Sequence, residues 1–264
     1  MKRITMLFPG GKSKCLTMSY DDGQRFDRRL VRIFNAHGIR GTFNLNSGRL
    51  GGICVEAEEV PRLYAGHEVA SHTVTHPHPT LFSPPALLPE LTEDRAALEA
   101  LVGYPVRGFA YPYGEYNADV LRALQSAGLE YARTVNSTHQ FSLPADFLQW
   151  HPTCHHDDGR LMELGQRLIS SQGEALQLMY VWGHSFEFDR NDNWQRMEDF
   201  CAMMGGREDI WYATNIQIAD AVEGFRRLRF SQDNSIIFNP SAQAVWIAVD
   251  GSPLQVPGGA MIRI

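Results

Sequence analysis

The sequence predicts an α/β protein whose main domain is a closed or nearly closed (β/α) barrel, followed by a small antiparallel β appendage. Through roughly the first 220 residues, short apolar runs alternate with longer segments that have helical spacing. This order is typical of βαβ units around a mainly parallel sheet, and about seven such units favour a barrel over an open sheet. We therefore assign residues 1–227 to the barrel and residues 228–264 to the appendage.

The barrel strands are predicted from short apolar runs and the helices from apolar residues at helical spacing. Pro84 and Pro85 are expected to open a helical region, in which the helix over 91–101 has Thr92 as its expected N-cap. Glycines such as Gly38 and Gly103 are expected to end helices. The predicted strands are 15–20, 40–46, 68–71, 106–111, 131–135, 176–182 and 210–213. The predicted helices are 25–37, 56–65, 91–101, 117–128, 158–171, 194–204 and 215–226.

The helical pattern stops after residue 228. Residues 235–238, 244–249 and 261–264 are predicted strands, separated by turn signals such as Asp250-Gly251. A segment this short cannot build a core of its own. We therefore expect these strands to form a small antiparallel sheet that packs on the barrel.

Composition excludes several classes of function. The chain of 264 residues has 24 basic and 30 acidic residues, a net charge of −6, and no basic block, which argues against a nucleic-acid partner. No apolar run approaches the ~18–20 residues of a membrane span. Pro9 and two glycines interrupt the apolar N-terminal segment, so we expect no signal peptide and a cytoplasmic location. Oligomeric state is not indicated.

Three short segments carry residues suited to chemistry. Asp21, Asp22 and a glycine follow the first predicted strand, where parallel α/β folds place their sites. His72 and His76 are four residues apart, a spacing that puts both on one face of a helical turn. His184 lies just past another predicted strand.

Together these residues predict a hydrolytic metal site. One Asp and two His are a ligand set typical of zinc in hydrolases, with open positions for water and substrate. We assign Asp22, His72 and His76 as ligands of one divalent ion, Asp21 as general base and His184 as general acid. Zinc is the default, and cobalt, nickel or manganese can occupy such a site.

The order of these motifs resembles the polysaccharide deacetylase family, carbohydrate esterase family four, over roughly residues 14–220. The motifs are Tyr20-Asp21-Asp22-Gly23, His72-Thr73-x-x-His76, Tyr111-Pro112-Tyr113-Gly114 and a strand that ends near His184. The resemblance implies a distorted, seven-stranded (β/α) barrel. It also implies the same roles for both aspartates and all three histidines.

The sequence departs from the family pattern at two places. Ala110 stands where the family has an arginine that orients the base, and Arg107 lies three residues too early to be assumed a substitute. The tryptophan of a further motif has no clean match, and Trp150 is the nearest. His155 and His156 are candidates for lining the site, while Tyr113, Pro112 and Trp182 are expected to bind substrate.

These observations predict a metal-dependent hydrolase that removes acetyl groups from an N-acetylated sugar or glycan, with that carbohydrate as its partner. Two alternatives stay open. One is a hydrolase of a non-peptide C–N bond in a small amide, and the other is an inactive carbohydrate-binding barrel. A complete set of base, acid and ligands argues against the inactive barrel, because binding alone needs neither base nor acid.

Overall fold

The computed structural model describes residues 2–173 and 175–264, and its strands and helices alternate over most of that length. The strands are β1 (Ile4–Leu7), β2 (Lys14–Asp21), β3 (Gly41–Leu45), β4 (Glu68–Ser71), β5 (Gly108–Ala110), β6 (Tyr131–Arg133), β7 (Cys154–His155), β8 (Gln177–His184), β9 (Ile210–Tyr212), β10 (Arg229–Phe230), β11 (Ile236–Phe238), β12 (Val245–Val249), β13 (Ser252–Val256) and β14 (Met261–Arg263). The helices are α1 (Asp27–Ala36), α2 (Val60–Leu63), α3 (Pro84–Val102), α4 (Ala118–Ser126), α5 (Leu161–Ser170), α6 (Ser185–Arg190), α7 (Trp194–Met204) and α8 (Asn215–Arg227).

The central sheet is parallel and curled. Its strands run in the order β6-β5-β4-β3-β2-β8-β7, and β9 pairs with the first residues of β2. The segment that contains Trp150 and Thr153 lies between the two ends of this order. The Trp150 N–H donates to the Ala132 carbonyl oxygen of β6 (3.0 Å), and the Thr153 N–H donates to the Tyr180 carbonyl oxygen of β8 (2.8 Å). The expected α/β class with a distorted seven-stranded barrel is confirmed.

Every residue of β2 is buried, because strands lie on both of its sides and helices cover the sheet. Apolar side chains of β2 such as Leu16 and Met18 belong to the largest core cluster, together with Phe34 of α1, Leu164 of α5 and Phe200 of α7. The buried polar residues Thr17, Ser19 and Asp21 alternate with these apolar residues and therefore lie on the opposite face of the sheet. This strand therefore provides the fixed position from which the site is built.

The third predicted helix begins at the two prolines that were expected to open its region, and not at residue 91. Helix α3 starts at Pro84 with Ser83 as N-cap, so the expectation of Thr92 as N-cap is wrong. Proline is favoured in the first turn, where the N–H groups have no partner inside the helix. Thr92 lies within the helix and its hydroxyl donates to the Leu88 carbonyl oxygen (3.0 Å).

The C-terminal residues form two small antiparallel sheets, where one was expected. One has the order β10-β11-β14, and the other has the order β1-β12-β13. Strand β1 was not predicted and lies outside residues 228–264, yet Ile4 pairs with Val249 and Leu7 with Trp246. The division at residue 227 stays a prediction, but the second sheet includes residues from the N-terminal side of it.

A small apolar cluster joins these sheets to the barrel. Its buried members are Leu228, Ile237, Val245, Ile247 and Val256. Phe225 of α8 packs against this cluster and also against a cluster of the barrel. No described helix is long and apolar enough to cross a membrane.

We predict that Ile247→Ala lowers the free energy of unfolding by about 2–5 kcal/mol, the usual cost of emptying a buried aliphatic site. Ile247 is fully buried on β12, between β1 and β13. Urea unfolding followed by circular dichroism measures the change. The control Gln255→Ala changes an exposed residue on β13 and should shift stability by less than about 0.5 kcal/mol. Equal effects of the two substitutions would contradict docking through this cluster.

Candidate metal centre and active site

The carboxyl ends of three parallel strands bring the predicted site residues together. Asp21 is the last residue of β2, and Asp22 follows it. In the sheet register, Asp21 lies opposite His184 on β8 and Asn44 on β3. His72 comes directly after β4. The site is therefore at the edge of the sheet where parallel α/β folds place their chemistry.

Asp22, His72 and His76 form a group that fits a divalent metal ion. The Oδ1 atom of Asp22 lies 3.9 Å from His72 Nε2 and 3.8 Å from His76 Nε2. Ligands about 2.0–2.2 Å from one tetrahedral zinc ion are separated from one another by distances only slightly shorter than these. Asp22 Oδ1 is buried and has no hydrogen-bond partner among the residues that the structure describes. Such an atom is costly in a folded protein unless a cation or proton satisfies it.

The orientation of His72 leaves Nε2 free to bind a metal. Its Nδ1 lies 2.7 Å from the Ala110 carbonyl oxygen, which can only accept, so Nδ1 carries the proton. Burial lowers the pKa of His72 to about 4, which favours the neutral ring that a metal needs. Asp94 holds this strand end by accepting from the Ser71 hydroxyl (2.6 Å) and the His72 N–H (3.2 Å).

His76 reaches the site through an irregular turn, so the helical turn expected for the histidine pair is wrong. Thr73 and His76 both have positive φ angles, of 68° and 60°, which no helix contains. The Thr73 hydroxyl accepts from the His76 N–H (3.0 Å), and Asn46 donates to the Thr73 carbonyl oxygen (3.0 Å). Asp22 also has a positive φ, of 73°. Such strained residues are concentrated at functional sites.

Asp21, the predicted base, is buried and held by two side chains. Asn44 donates to its Oδ1 (2.8 Å), and the Arg133 guanidinium donates to its Oδ2. Burial alone would raise the pKa of Asp21, but the positive charge of Arg133 outweighs it and the pKa falls to about 2. Arg133 is not among the site residues predicted from the sequence. The available signal was a lone arginine in a predicted strand that is otherwise mostly apolar.

His184, the predicted acid, is the last residue of β8 and the N-cap of α6. Its Nε2 lies 3.9 Å from Asp21 Oδ2, and its Nδ1 lies 3.4 Å from Glu187 Oε2. Burial would lower the pKa of His184, but Glu187 raises it above the ordinary value. Glu187 was also missed. It lies three residues after His184, where the first turn of α6 brings it back to the N-cap.

The adjacent histidines 155 and 156 lie beside Glu187. Their Nε2 atoms are 3.1 Å and 3.3 Å from Glu187 Oε2. His156 is fully buried and lies so close to Gly183 that a Cβ there would come 2.0 Å from its Nδ1. The structure therefore places this pair against the partner of His184, while Asp22, His72 and His76 form a separate ligand group.

The three aromatic residues and the proline that were considered near the substrate differ in their exposure to solvent. Tyr113 is 53% exposed and lies edge-on to His76, with ring centroids 4.6 Å apart. Trp182 is half-buried and covers the Arg133 guanidinium. Pro112 is buried, and Trp150 is buried among aromatic side chains of the barrel. Tyr113 thus has a surface to offer a substrate, whereas Trp150 and Pro112 have little.

Residues 9–132 match the family model described as polysaccharide deacetylase. A chitin deacetylase of Pestalotiopsis sp. is 27% identical over 113 residues, which is 42% of this chain and 38% of the relative. A chitooligosaccharide deacetylase of Rhizobium leguminosarum bv. trifolii is 29% identical over 124 residues, which is 46% of this chain and 56% of the relative. The matched segment therefore spans about half or less of the length of these curated relatives.

A solved structure extends the likeness to most of the chain at the level of fold. It is a family 4 acetyl xylan esterase from Clostridium thermocellum in complex with a cobalt ion, with a TM-score of 0.55 and 12% identity. The similarity covers 80% of this chain and 92% of the other. At this identity the likeness shows a shared fold.

We predict that the metal-free protein binds about one zinc or cobalt ion per chain, and that Asp22→Asn or His76→Ala removes most of this binding. In this set of three, Asp22→Asn replaces a charged carboxylate with a weaker neutral amide, and His76→Ala deletes a donor. Metal analysis by mass spectrometry after dialysis measures it. His78→Ala is the matched control, because His78 lies close by but outside the ligand group. It stacks on Tyr113 and pairs with Glu115. Unchanged binding in both variants would show that the metal is held elsewhere.

Proposed function

Because residues 9–132 of the chain belong to the polysaccharide deacetylase family, we propose that this protein is a metal-dependent hydrolase that removes acetyl groups from an N-acetylated sugar or glycan. One observation carries the proposal. The Oδ2 atom of Asp21 lies 3.9 Å from His72 Nε2 and 3.9 Å from His184 Nε2. A carboxylate beside a metal-ligand group on one side and a second histidine on the other is the arrangement that acid–base hydrolysis needs.

Asp22, His72 and His76 would hold the ion, with zinc as the first choice and cobalt, nickel or manganese as alternatives. When bound, a divalent ion supplies Lewis acidity, which polarises a carbonyl group and makes water more acidic near neutral pH. The fit rests on the orphaned Asp22 Oδ1 and on the neutral ring of His72. Both features are properties of the chain itself.

Asp21 and His184 divide the proton transfers. Asp21 takes the proton from the attacking water, for which its position, held by Asn44 and Arg133, is suited. An amine leaves poorly unless it is protonated, so His184 donates a proton to the leaving nitrogen. The backbone N–H of Tyr113, in a strained turn beside His76, is our candidate donor to the oxygen that gains negative charge.

The substrate class rests on the named relatives and on the rim of the site. The two curated relatives are named for chitin and for chitooligosaccharide, both N-acetylated glycans. The exposed ring of Tyr113 offers a flat apolar face beside the ligand His76, of the kind on which sugar rings stack. The cytoplasmic location stays a prediction.

The deciding experiment measures acetate released from a panel of substrates by the zinc-loaded protein. The panel contains N-acetylglucosamine, its oligomers, acetylated xylan and small N-acetyl amides. Release from the N-acetylated sugars supports the proposal. Release from small amides alone would favour the other C–N hydrolase, and binding of sugars without any release would favour an inactive carbohydrate-binding barrel.

We predict that Asp21→Asn lowers kcat by roughly 10²–10⁴-fold, the usual size of a general-base contribution. The amide keeps the shape of the side chain but cannot take a proton from water. Metal content should stay near one ion per chain, in contrast to Asp22→Asn. If Asp21→Asn instead stripped the metal while Asp22→Asn retained it, the roles of the two aspartates would be exchanged.

We predict that His184→Ala lowers kcat by about 10²–10⁴-fold and leaves the metal content unchanged, because an unprotonated amine must then leave. The comparison variant is His155→Ala, which removes a neighbouring histidine that contacts the same oxygen of Glu187 as His184 does. It should lower kcat much less. A loss of turnover in His155→Ala together with normal turnover in His184→Ala would move the acid to His155.

A further inference from the structure

Arg133 is a charged side chain buried in the interior of the barrel. Its side chain has no exposed surface, and its guanidinium donates to Oδ2 of Asp21, which is almost as deeply buried. Resting on the proposed function, we propose that Arg133 is the positioning residue that holds Asp21 in place as the base. It does so from strand β6, across the barrel from β2.

The surroundings of Arg133 are arranged around its charge. The Trp182 ring covers the guanidinium, with 4.4 Å from Cζ to the ring centroid, a cation–π contact. Nη1 donates to the Thr134 carbonyl oxygen (3.3 Å), while Nε has no hydrogen-bond partner within residues 2–173 and 175–264. A buried guanidinium is costly and is retained only where a specific partner compensates it. The partner here is Asp21, so an apolar residue of similar size could fill the space but could not replace the interaction.

The two contacts to Asp21 fix the direction of its carboxylate. Asn44 holds Oδ1 and Arg133 holds Oδ2. Without Arg133 the carboxylate could turn about its χ angles toward the ligand group, because Oδ2 is already 3.9 Å from His72 Nε2. A base that turns in this way no longer faces the attacking water. Loss of Arg133 would therefore lower the rate of the chemical step more than it would weaken substrate binding.

Strand register explains why Arg133 can act from β6. Ala110 of β5 and Arg133 of β6 are paired in the parallel ladder. Paired residues on neighbouring strands point to the same face of a sheet, so both side chains belong to one layer of the interior. The long side chain of Arg133 on β6 can thus reach Asp21, whereas the methyl group of Ala110 on β5 cannot contact it.

Arg107, the other arginine near this segment, is excluded by its contacts. It precedes β5, and its Nη2 lies 2.6 Å from both Glu130 and Asp220. Glu130 precedes β6, so this ion pair is at the amino ends of the strands, opposite the site. Arg107 therefore provides a matched control of the same residue type.

The test compares Arg133→Ala, Arg133→Lys, Arg107→Ala and the double variant Arg133→Ala/Ala110→Arg, all loaded with zinc. Arg133→Ala should lower kcat by roughly 10–100-fold or more, the usual effect of losing a group that orients a reacting one. KM and zinc content should change by less than about threefold. Arg133→Lys should keep the fold and regain part of kcat, because lysine restores the charge but not the planar fork. The double variant should also recover part of kcat, and Arg107→Ala should keep it.

A crystal structure of zinc-loaded Arg133→Ala supplies a readout independent of activity. We expect the Asp21 carboxylate to have left its position beside Asn44. An unmoved Asp21 would overturn the inference, and so would an unchanged kcat in Arg133→Ala.

If the unaltered protein released no acetate from any substrate, the proposed function would fail, and the position of Asp21 in Arg133→Ala would still decide the inference. If Arg133→Ala does not fold, the test uses the kcat of Arg133→Lys and the position of the Asp21 carboxylate in the crystal structure of that variant. An unchanged kcat together with an unmoved carboxylate would then overturn the proposal.

Discussion

The parallel register of strand β2 is the constraint on which the site depends. This register sets Asp21 opposite Asn44 on one side and His184 on the other. Side chains alternate between the faces of a strand, so a slip of one residue would turn Asp21 away from both. The complete burial of β2 prevents such a slip, because every position has a defined apolar or polar surrounding. The catalytic geometry is thus a consequence of how the central strand packs.

The loops that follow the strands add what regular structure cannot supply. Asp22, Thr73, His76 and Tyr113 all have positive φ angles although none is glycine. Each such residue costs about 1–3 kcal/mol, and glycine would relieve the strain. Glycine would also remove the carboxylate, the hydroxyl, the imidazole or the ring that the site uses. The rigid sheet below and hydrogen bonds such as that from Asn46 to Thr73 keep these turns in place.

The part of the site that lies in short motifs could be predicted from the sequence, and the part that depends on distant strands could not. Asp22, His72 and His76 stand at strand ends in a recognisable order, and the structure brings them into one ligand group. Arg133 meets Asp21 only because β6 faces β2 across a curled sheet, which no local spacing encodes. Trp150, the nearest match to the tryptophan of the family, is buried among aromatic residues of the barrel, since an aromatic residue near a strand end can face the core as well as the substrate. Strand β1 was missed because its partner, β12, lies at the other end of the chain.

That pairing of β1 with β12 affects the order in which the protein can be completed. Ile4 is synthesised long before its partner Val249, because β1 precedes all the barrel strands and β12 follows them. Until then, β1 has an open edge and no neighbour to protect its backbone groups, and contacts between such distant segments form slowly. The barrel strands β2 to β9 can assemble before β12 has been made, but the β1-β12-β13 sheet cannot. This sheet therefore forms only after β12 has been made, so a chain that lacks β12 would keep β1 as an open edge strand that can pair with another chain.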